Sequence, residues 1–272
     1  TLDRSSAASD VYKRQQLTPE HALGFALNVG YQTLEVKGVQ FLGMISSQAD
    51  RVSDNGTDGA LNIGFSIGWR SEWSNGLAFG AGYKSKSWAE KHDSYAGVVA
   101  GRGRLELPAI WGFGASYRLS ETLLVAADYQ RYEFRNEAAM GNRLSALNQG
   151  HLLGTDNGPG FGYRDLNAYK LGVDWKAFEH TSIKLGYVAA NQMMQPSETL
   201  FGILGPVPTT THYSLGLTTK SSSGFEFTGA VSYAPHKGVA GQNSIPEAFG
   251  GGETNVRFHV WSFGVSLGRP FE

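Results

Sequence analysis

The fold is decided by stretches such as Ala60-Leu61-Asn62-Ile63-Gly64-Phe65-Ser66-Ile67-Gly68-Trp69-Arg70, in which large apolar residues alternate with small or polar ones. A period of two places the two kinds of residue on opposite faces of a β-strand. The same alternation recurs over residues 22–36, 77–84, 107–118, 123–130, 167–176, 182–190, 212–219, 225–234 and 257–267. The sequence therefore predicts an all-β fold with about ten strands.

The connections between these strands alternate between short and long. The short ones span residues 72–76, 119–122, 177–181 and 220–224, and the long ones span residues 37–59, 85–106, 135–166, 191–211 and 235–256. Outer-membrane barrels have short periplasmic turns and long extracellular loops, whereas a soluble β-sandwich rarely sorts its loops in this way. The pattern predicts an antiparallel transmembrane β-barrel whose last strand ends near the terminal aromatic Phe271.

Charged and aromatic residues are placed as this barrel requires. On the predicted lipid face, Glu35, Arg131 and Arg257 lie beside long loops, where the cost of about 2–4 kcal/mol for an arginine at mid-bilayer falls away. Tyrosines near the same strand ends predict an interfacial aromatic belt. These tyrosines are Tyr31, Tyr83, Tyr129, Tyr187 and Tyr233, and Trp111, Trp175 and Trp261 extend the belt. The alternative is that aromatic residues are merely common in strands.

Composition excludes several classes of function. A formal net charge of −1 offers no electrostatic footprint for nucleic acid. The chain has no cysteine, and its seven histidines show no metal-ligand spacing, so we predict neither a metal nor a cofactor. His212 and Ser214 lie two positions apart on the predicted inner face. A Ser/His hydrolase would need such a pair together with a group that orients the histidine. Inward polar pairs are more often simply hydrated, so we predict that the protein is not an enzyme.

Residues 1–16 follow no strand periodicity and contain no apolar signal-peptide core. We interpret them as a non-native or disordered leader, and residues 17–272 as the barrel.

The long loops are too apolar to be only solvated connections. Exposed apolar clusters usually mark binding surfaces, although these residues could instead pack together and close the barrel end. The predicted ligand-binding residues in the loops are Val39, Phe41, Leu42, Met44 and Ile45, then Leu144, Leu147, Leu152 and Leu153, and finally Phe201 and Leu204.

Several segments resemble the outer-membrane hydrophobic-compound transporters, the family of the long-chain fatty acid transporter and the toluene channels. The likeness extends from Leu17 to Phe271 without one diagnostic motif, and it is carried by residues 83–88, 124–130, 158–165, 167–173, 200–204 and 212–216. The resemblance implies a fourteen-stranded barrel with an N-terminal plug. We therefore expect the plug, the signal peptide and the first strands to lie upstream of this chain.

The resemblance also implies a route. Hydrophobic small molecules would bind an apolar extracellular groove, move to an internal pocket and leave sideways into the bilayer. A basic residue would receive a carboxylate, and Arg164 and Lys170 are the candidates by position. We expect a monomer in the outer membrane, in contact with lipid and lipopolysaccharide and not with nucleic acid. The substrates would be long-chain fatty acids or aromatic hydrocarbons. A polar-solute porin is the alternative, and an outer-membrane hydrolase or adhesin is a third possibility.

Overall fold

The computed structural model describes residues 2–205 and 209–269, and of residues 2–14 only the backbone. Phe271 lies outside the described residues. Within them, one antiparallel sheet contains twelve strands. These are β1 Leu2–Gln16, β2 His21–Val36, β3 Asp58–Glu72, β4 Leu77–Lys84, β5 Trp88–Ala89, β6 Ile110–Arg118, β7 Leu123–Tyr132, β8 Leu166–Phe178, β9 Thr181–Ala190, β10 Thr211–Lys220, β11 Glu226–Val239 and β12 Val256–Gly268.

The strands follow one another in the sheet in chain order, apart from the two-residue β5, which pairs with β3. Each of the ten predicted strands is present, so the prediction of an antiparallel β-barrel wall is confirmed. In the described part of the chain β1 and β12 do not pair with each other, and the sheet is open between them.

Residues 2–16 form β1, which pairs with β2 from Leu2 opposite Val36 to Gln16 opposite Ala22. The sequence predicts a leader outside the fold here, because the segment lacks alternation. Pairing needs no alternation, since the free edge of β2 offers backbone N–H and C=O groups to any segment without proline. That these residues are non-native stays a prediction.

Long and short connections lie at opposite ends of the sheet. The long ones are loop 1 (residues 37–57), loop 2 (85–109), loop 3 (133–165), loop 4 (191–210) and loop 5 (240–255). Their helices are short: 3-10 turns at Gln40–Ile45, Ala49–Arg51, Asp93–Tyr95, Phe134–Asn136, Leu144–Gln149, Pro196–Glu198 and Glu247–Phe249, with α1 at Ala138–Gly141 and α2 at Thr199–Gly202. Among the residues described, none of the helices is long and apolar enough to cross a membrane.

The outward face carries an aromatic row near the long-loop end. Tyr187, Tyr213, Tyr233 and Trp261 stand directly opposite one another on β9 to β12. Ring centroids are 5.4 Å apart between Tyr187 and Tyr213, and 4.4 Å apart between Tyr233 and Trp261. Such a row is the arrangement expected of an interfacial aromatic belt.

The inward face is lined with small residues. A row of four glycines crosses adjacent strands, with Gly24 opposite Gly68, Gly68 opposite Gly82, and Gly82 opposite Gly112. This row, which we call the glycine row, leaves the inner wall of β2, β3, β4 and β6 without side chains at that height.

Candidate functional site

Loops 1 to 5 fold together over the long-loop end of the sheet, and we call this assembly the cap. Each loop is too short to enclose its own apolar residues, so they pack against those of the other loops. One buried cluster joins the end of β2 to loops 1 to 4 and consists of Leu34, Val36, Val39, Leu42, Ile45, Tyr95, Leu144, Leu153 and Phe201. A second joins loops 2 to 4 to β11 and β12, and includes Leu105, Met140, Tyr163, Met194 and Val256.

Between the two clusters lies a cavity of about 360 Å³, a size within the range of small-molecule pockets. Its described lining carries no ionisable side chain. The lining residues are Leu34, Val36, Leu42, Val98, Val99, Ala100, Leu105, Ala139, Met140, Leu153, Pro159, Gly160, Phe161, Phe201, Leu204 and Gly205. An apolar molecule that enters this cavity exchanges water for a lining that is mainly apolar.

Charged groups that lie beside the cavity are paired with one another. Glu106 follows the lining residue Leu105, and Glu137 precedes the lining residue Ala139 by two positions. Both accept hydrogen bonds from the Lys86 ammonium, at 2.7 Å for Glu106 and 3.1 Å for Glu137. Burial raises the pKa of Glu137, whose side chain is only 3% exposed, and the hydrogen bond from Lys86 offsets part of that rise.

Glu198 is a second buried carboxylate, and it joins loop 4 to loop 3. Its oxygens accept hydrogen bonds from the backbone N–H of Leu144 at 2.7 Å and from the Ser197 hydroxyl at 2.7 Å. The guanidinium of Arg143 lies 3.4 Å from the same carboxylate. Since a buried charge is tolerated only when it is paired and hydrogen-bonded, Glu198 fixes the position of the Leu144 turn against the cavity wall.

The structure brings most of the predicted loop residues together. Leu42, Leu153, Phe201 and Leu204 line the cavity. Four more lie in the surrounding packing, because Val39, Ile45 and Leu144 are buried in the first cluster and Leu147 packs against it.

The other three predicted loop residues are on the surface of the cap. Phe41 is 51% exposed, Met44 72% and Leu152 42%. A backbone bridge between Ser46 and Leu153 holds loop 1 beside loop 3, so Met44 and Leu152 lie near the same bridge. We call Phe41, Met44 and Leu152 the entry patch.

The two predicted carboxylate-binding residues lie elsewhere. The Arg164 guanidinium donates to the Gln195 side-chain oxygen at 3.1 Å, and the Lys170 ammonium donates to Gln130 on the inner wall at 2.5 Å. Neither belongs to the cavity lining. Their role in binding a carboxylate stays a prediction.

Sequence reasoning missed loop 2 as part of the site. Val98, Val99, Ala100 and Leu105 line the cavity, and the apolar run over residues 96–100 was the available signal. The inward pair His212 and Ser214 has no hydrogen bond between its members among the described contacts. The His212 ring instead lies 3.0 Å from the Thr209 hydroxyl.

No family model matches the sequence, and no curated protein matches it. Solved structures do match. The toluene transporter TodX of Pseudomonas putida gives a TM-score of 0.65 at 14% identity, over 99% of this chain and 70% of that one. The toluene transporter TbuX of Ralstonia pickettii gives 0.59 at 14% identity, over 98% and 69%. A FadL homologue of Pseudomonas aeruginosa gives 0.63 at 13% identity, over 98% and 67%. At these identities the likeness shows the fold, and it is the fold of the hydrophobic-compound transporters that the sequence resembles.

Proposed function

We propose that this chain forms the wall and cap of an outer-membrane channel for the passive uptake of hydrophobic compounds. One observation carries the proposal. The cap of a barrel-type sheet encloses a cavity of about 360 Å³ whose described lining is entirely without ionisable groups. A polar-solute porin does not require such a cavity, because conduction through a porin depends on charged or hydrated groups along the pore.

The proposed route begins at the entry patch. An apolar solute first contacts Phe41, Met44 and Leu152, and then enters the cavity, where burial contributes about 25 cal/mol for each Å² of apolar surface removed from water. Release sideways through the wall into the bilayer completes the route without returning the solute to water. The outer-membrane location, the lipopolysaccharide surroundings and the monomeric state belong to the same proposal.

The cavity favours uncharged solutes over fatty acids. No described cation lines it to receive a carboxylate, and the nearby Lys86 and Arg143 already pair with Glu106, Glu137 and Glu198. An isolated carboxylate would lose its hydration there without gaining a partner. An apolar cavity of about 150 Å³ accepts benzene, so the larger volume here has room for a substituted aromatic ring. TodX and TbuX, which share the fold, are toluene transporters.

The test uses the chain reconstituted in lipid vesicles and measures the uptake of radiolabelled toluene. Leu204→Trp fills the cavity while keeping its lining apolar, and we expect it to lower the initial uptake rate on the order of tenfold. Phe201→Asp places a charge in the lining and should lower the rate as much.

The matched control is Leu119→Asp, an equally large change at an exposed leucine in a short turn at the opposite end. It should leave uptake unchanged. Toluene uptake at the wild-type rate in all three variants would contradict the proposal. A steady ion conductance in planar bilayers would favour the polar-solute porin instead. Benzoate, tested as the charged counterpart of toluene, should enter far more slowly.

A further inference from the structure

The outward face carries a second site, where a β-bulge interrupts the pairing of β11 and β12. The register shifts between Ala234 and Lys237, so that Pro235 and His236 together face a single residue, His259. The extra residue turns the His236 ring to the side of the sheet on which His259 lies, and the two ring centroids are 4.2 Å apart. Bulges re-aim side chains in this way and are common beside functional sites.

A third basic group completes the cluster. Arg257 precedes His259 by two positions on β12, so its side chain is on the same outward face. All three side chains are exposed. The aromatic row lies directly below, because Trp261 follows His259 by two positions and stacks on Tyr233. The cluster therefore lies on the loop side of the aromatic belt, at the level of lipid head groups.

No carboxylate neutralises this cluster within the described structure, which is unusual for this end of the sheet. The outward Arg131 is paired with Asp165 at 2.7 Å, and Lys37 is paired with Glu35 at 2.9 Å. His236, His259 and Arg257 have no described ion pair. A basic cluster of one guanidinium and two imidazoles that lacks a carboxylate partner can donate hydrogen bonds to an external anion.

The other ionisable groups nearby form no described ion pair with the cluster. Lys237 stands opposite Phe258 and therefore belongs to the inward side. Glu247 and Glu253 are in loop 5 and take part in no described ion pair. The neighbouring strand β10 begins with Thr211, and its Tyr213 lies opposite Tyr233, so no carboxylate of β10 faces the cluster.

We propose that His236, His259 and Arg257 bind a phosphate group of the lipid A moiety of lipopolysaccharide. The inference rests on the proposed outer-membrane location, which puts this face against the lipopolysaccharide leaflet. Arginine offers a fork of N–H donors that matches phosphate oxygens, and each imidazole adds a donor and, when protonated, a charge. The acyl chains of lipid A would also pack against the aromatic row. Free phosphate has no acyl chains and lacks this contact.

The test measures lipid A binding to the purified full chain in detergent micelles by native mass spectrometry, with EDTA present throughout. Bisphosphorylated lipid A is compared with its dephosphorylated form. We expect the phosphorylated form to bind more tightly on the order of tenfold.

The triple variant Arg257→Gln/His236→Gln/His259→Gln should lose the preference, and Arg257→Gln alone should lose part of it. Lys37→Gln removes an outward cation at the same end that is already paired, and should keep the preference. Equal binding of the two lipid A forms to the wild type, or an undiminished preference in the triple variant, would overturn the assignment. Displacement of lipid A by an equal concentration of inorganic phosphate would assign the site to free phosphate instead.

Toluene uptake separates this inference from the proposed function. The triple variant should transport toluene at the wild-type rate, because the cluster lies outside the cap. An intact lipid A preference in a chain that transports nothing would overturn the proposed function alone.

Discussion

At the scale of single residues, Glu198 shows why a charge is found inside an apolar cap. Its side chain is 1% exposed, yet its oxygens are satisfied by the Leu144 backbone and the Ser197 hydroxyl. Nothing in the local sequence singles it out, because Pro196-Ser197-Glu198 reads as an ordinary polar turn. Its importance comes from loop 3, which is 54 positions away in the sequence.

Replacing this carboxylate should loosen the cap. In Glu198→Ala the Leu144 N–H is left buried without the carboxylate acceptor, and an unsatisfied buried donor costs about 1–3 kcal/mol. We expect faster hydrogen exchange at Leu144 and its neighbours in loop 3. Glu179→Ala, which removes a carboxylate that is 86% exposed in a short turn, should leave these amides unchanged. Unaltered exchange in Glu198→Ala would show that loops 3 and 4 are held together without it.

At the scale of elements, strands and loops differ in how far the sequence predicts them. Alternation is a local property, so all ten strands with period two were found from the residues alone. β1 was missed because its pairing depends on the edge of β2 rather than on its own pattern.

The cavity was predicted only in part. The apolar residues of loops 1, 3 and 4 were identified from the sequence. The lining residues of loop 2, and Leu34 and Val36 at the end of β2, were not identified. No single segment of sequence shows which distant segments it will contact in the folded chain.

Loop 3 should also respond to pH through Glu137. The pKa of this carboxyl is raised above its ordinary value of 4.5 by burial. The folded cap thus binds the proton more tightly than the unfolded chain does. The stability that Glu137 contributes is therefore full below pH 4.5 and is lost as the pH rises through the raised pKa.

Hydrogen exchange measures this effect at the amides of Met140 and Gly141, which bond to the Glu137 carbonyl. After correction for intrinsic rates, we expect better protection at pH 5 than at pH 7.5. Glu137→Gln should remove the difference, whereas Glu121→Gln, in an exposed short turn, should retain it. Protection that increases toward pH 7.5 would mean that the ion pair with Lys86 outweighs burial.

At the scale of the whole molecule, the two faces of the sheet should tolerate charge differently. Val231 points outward, opposite Leu215 and Phe263, and the adjacent Ser232 points inward, opposite Ser214 and Ser262. In lipid vesicles, Val231→Arg should lower the free energy of unfolding by about 2 kcal/mol. Ser232→Arg, one position along, should change it little. Urea titration followed by tryptophan fluorescence distinguishes the two, and equal losses would contradict the proposed membrane orientation.

The glycine row has a mechanical consequence. When a sheet curves, its concave face is compressed, and side chains there resist the approach of neighbouring strands. Within the row the crowding is greatest at Gly112, where a Cβ atom would meet the backbone oxygen of Tyr129 and the Cα and Cγ atoms of Gln130 on β7. A line of residues without Cβ atoms across β2, β3, β4 and β6 therefore lets these strands approach one another on the concave face at that height with little strain.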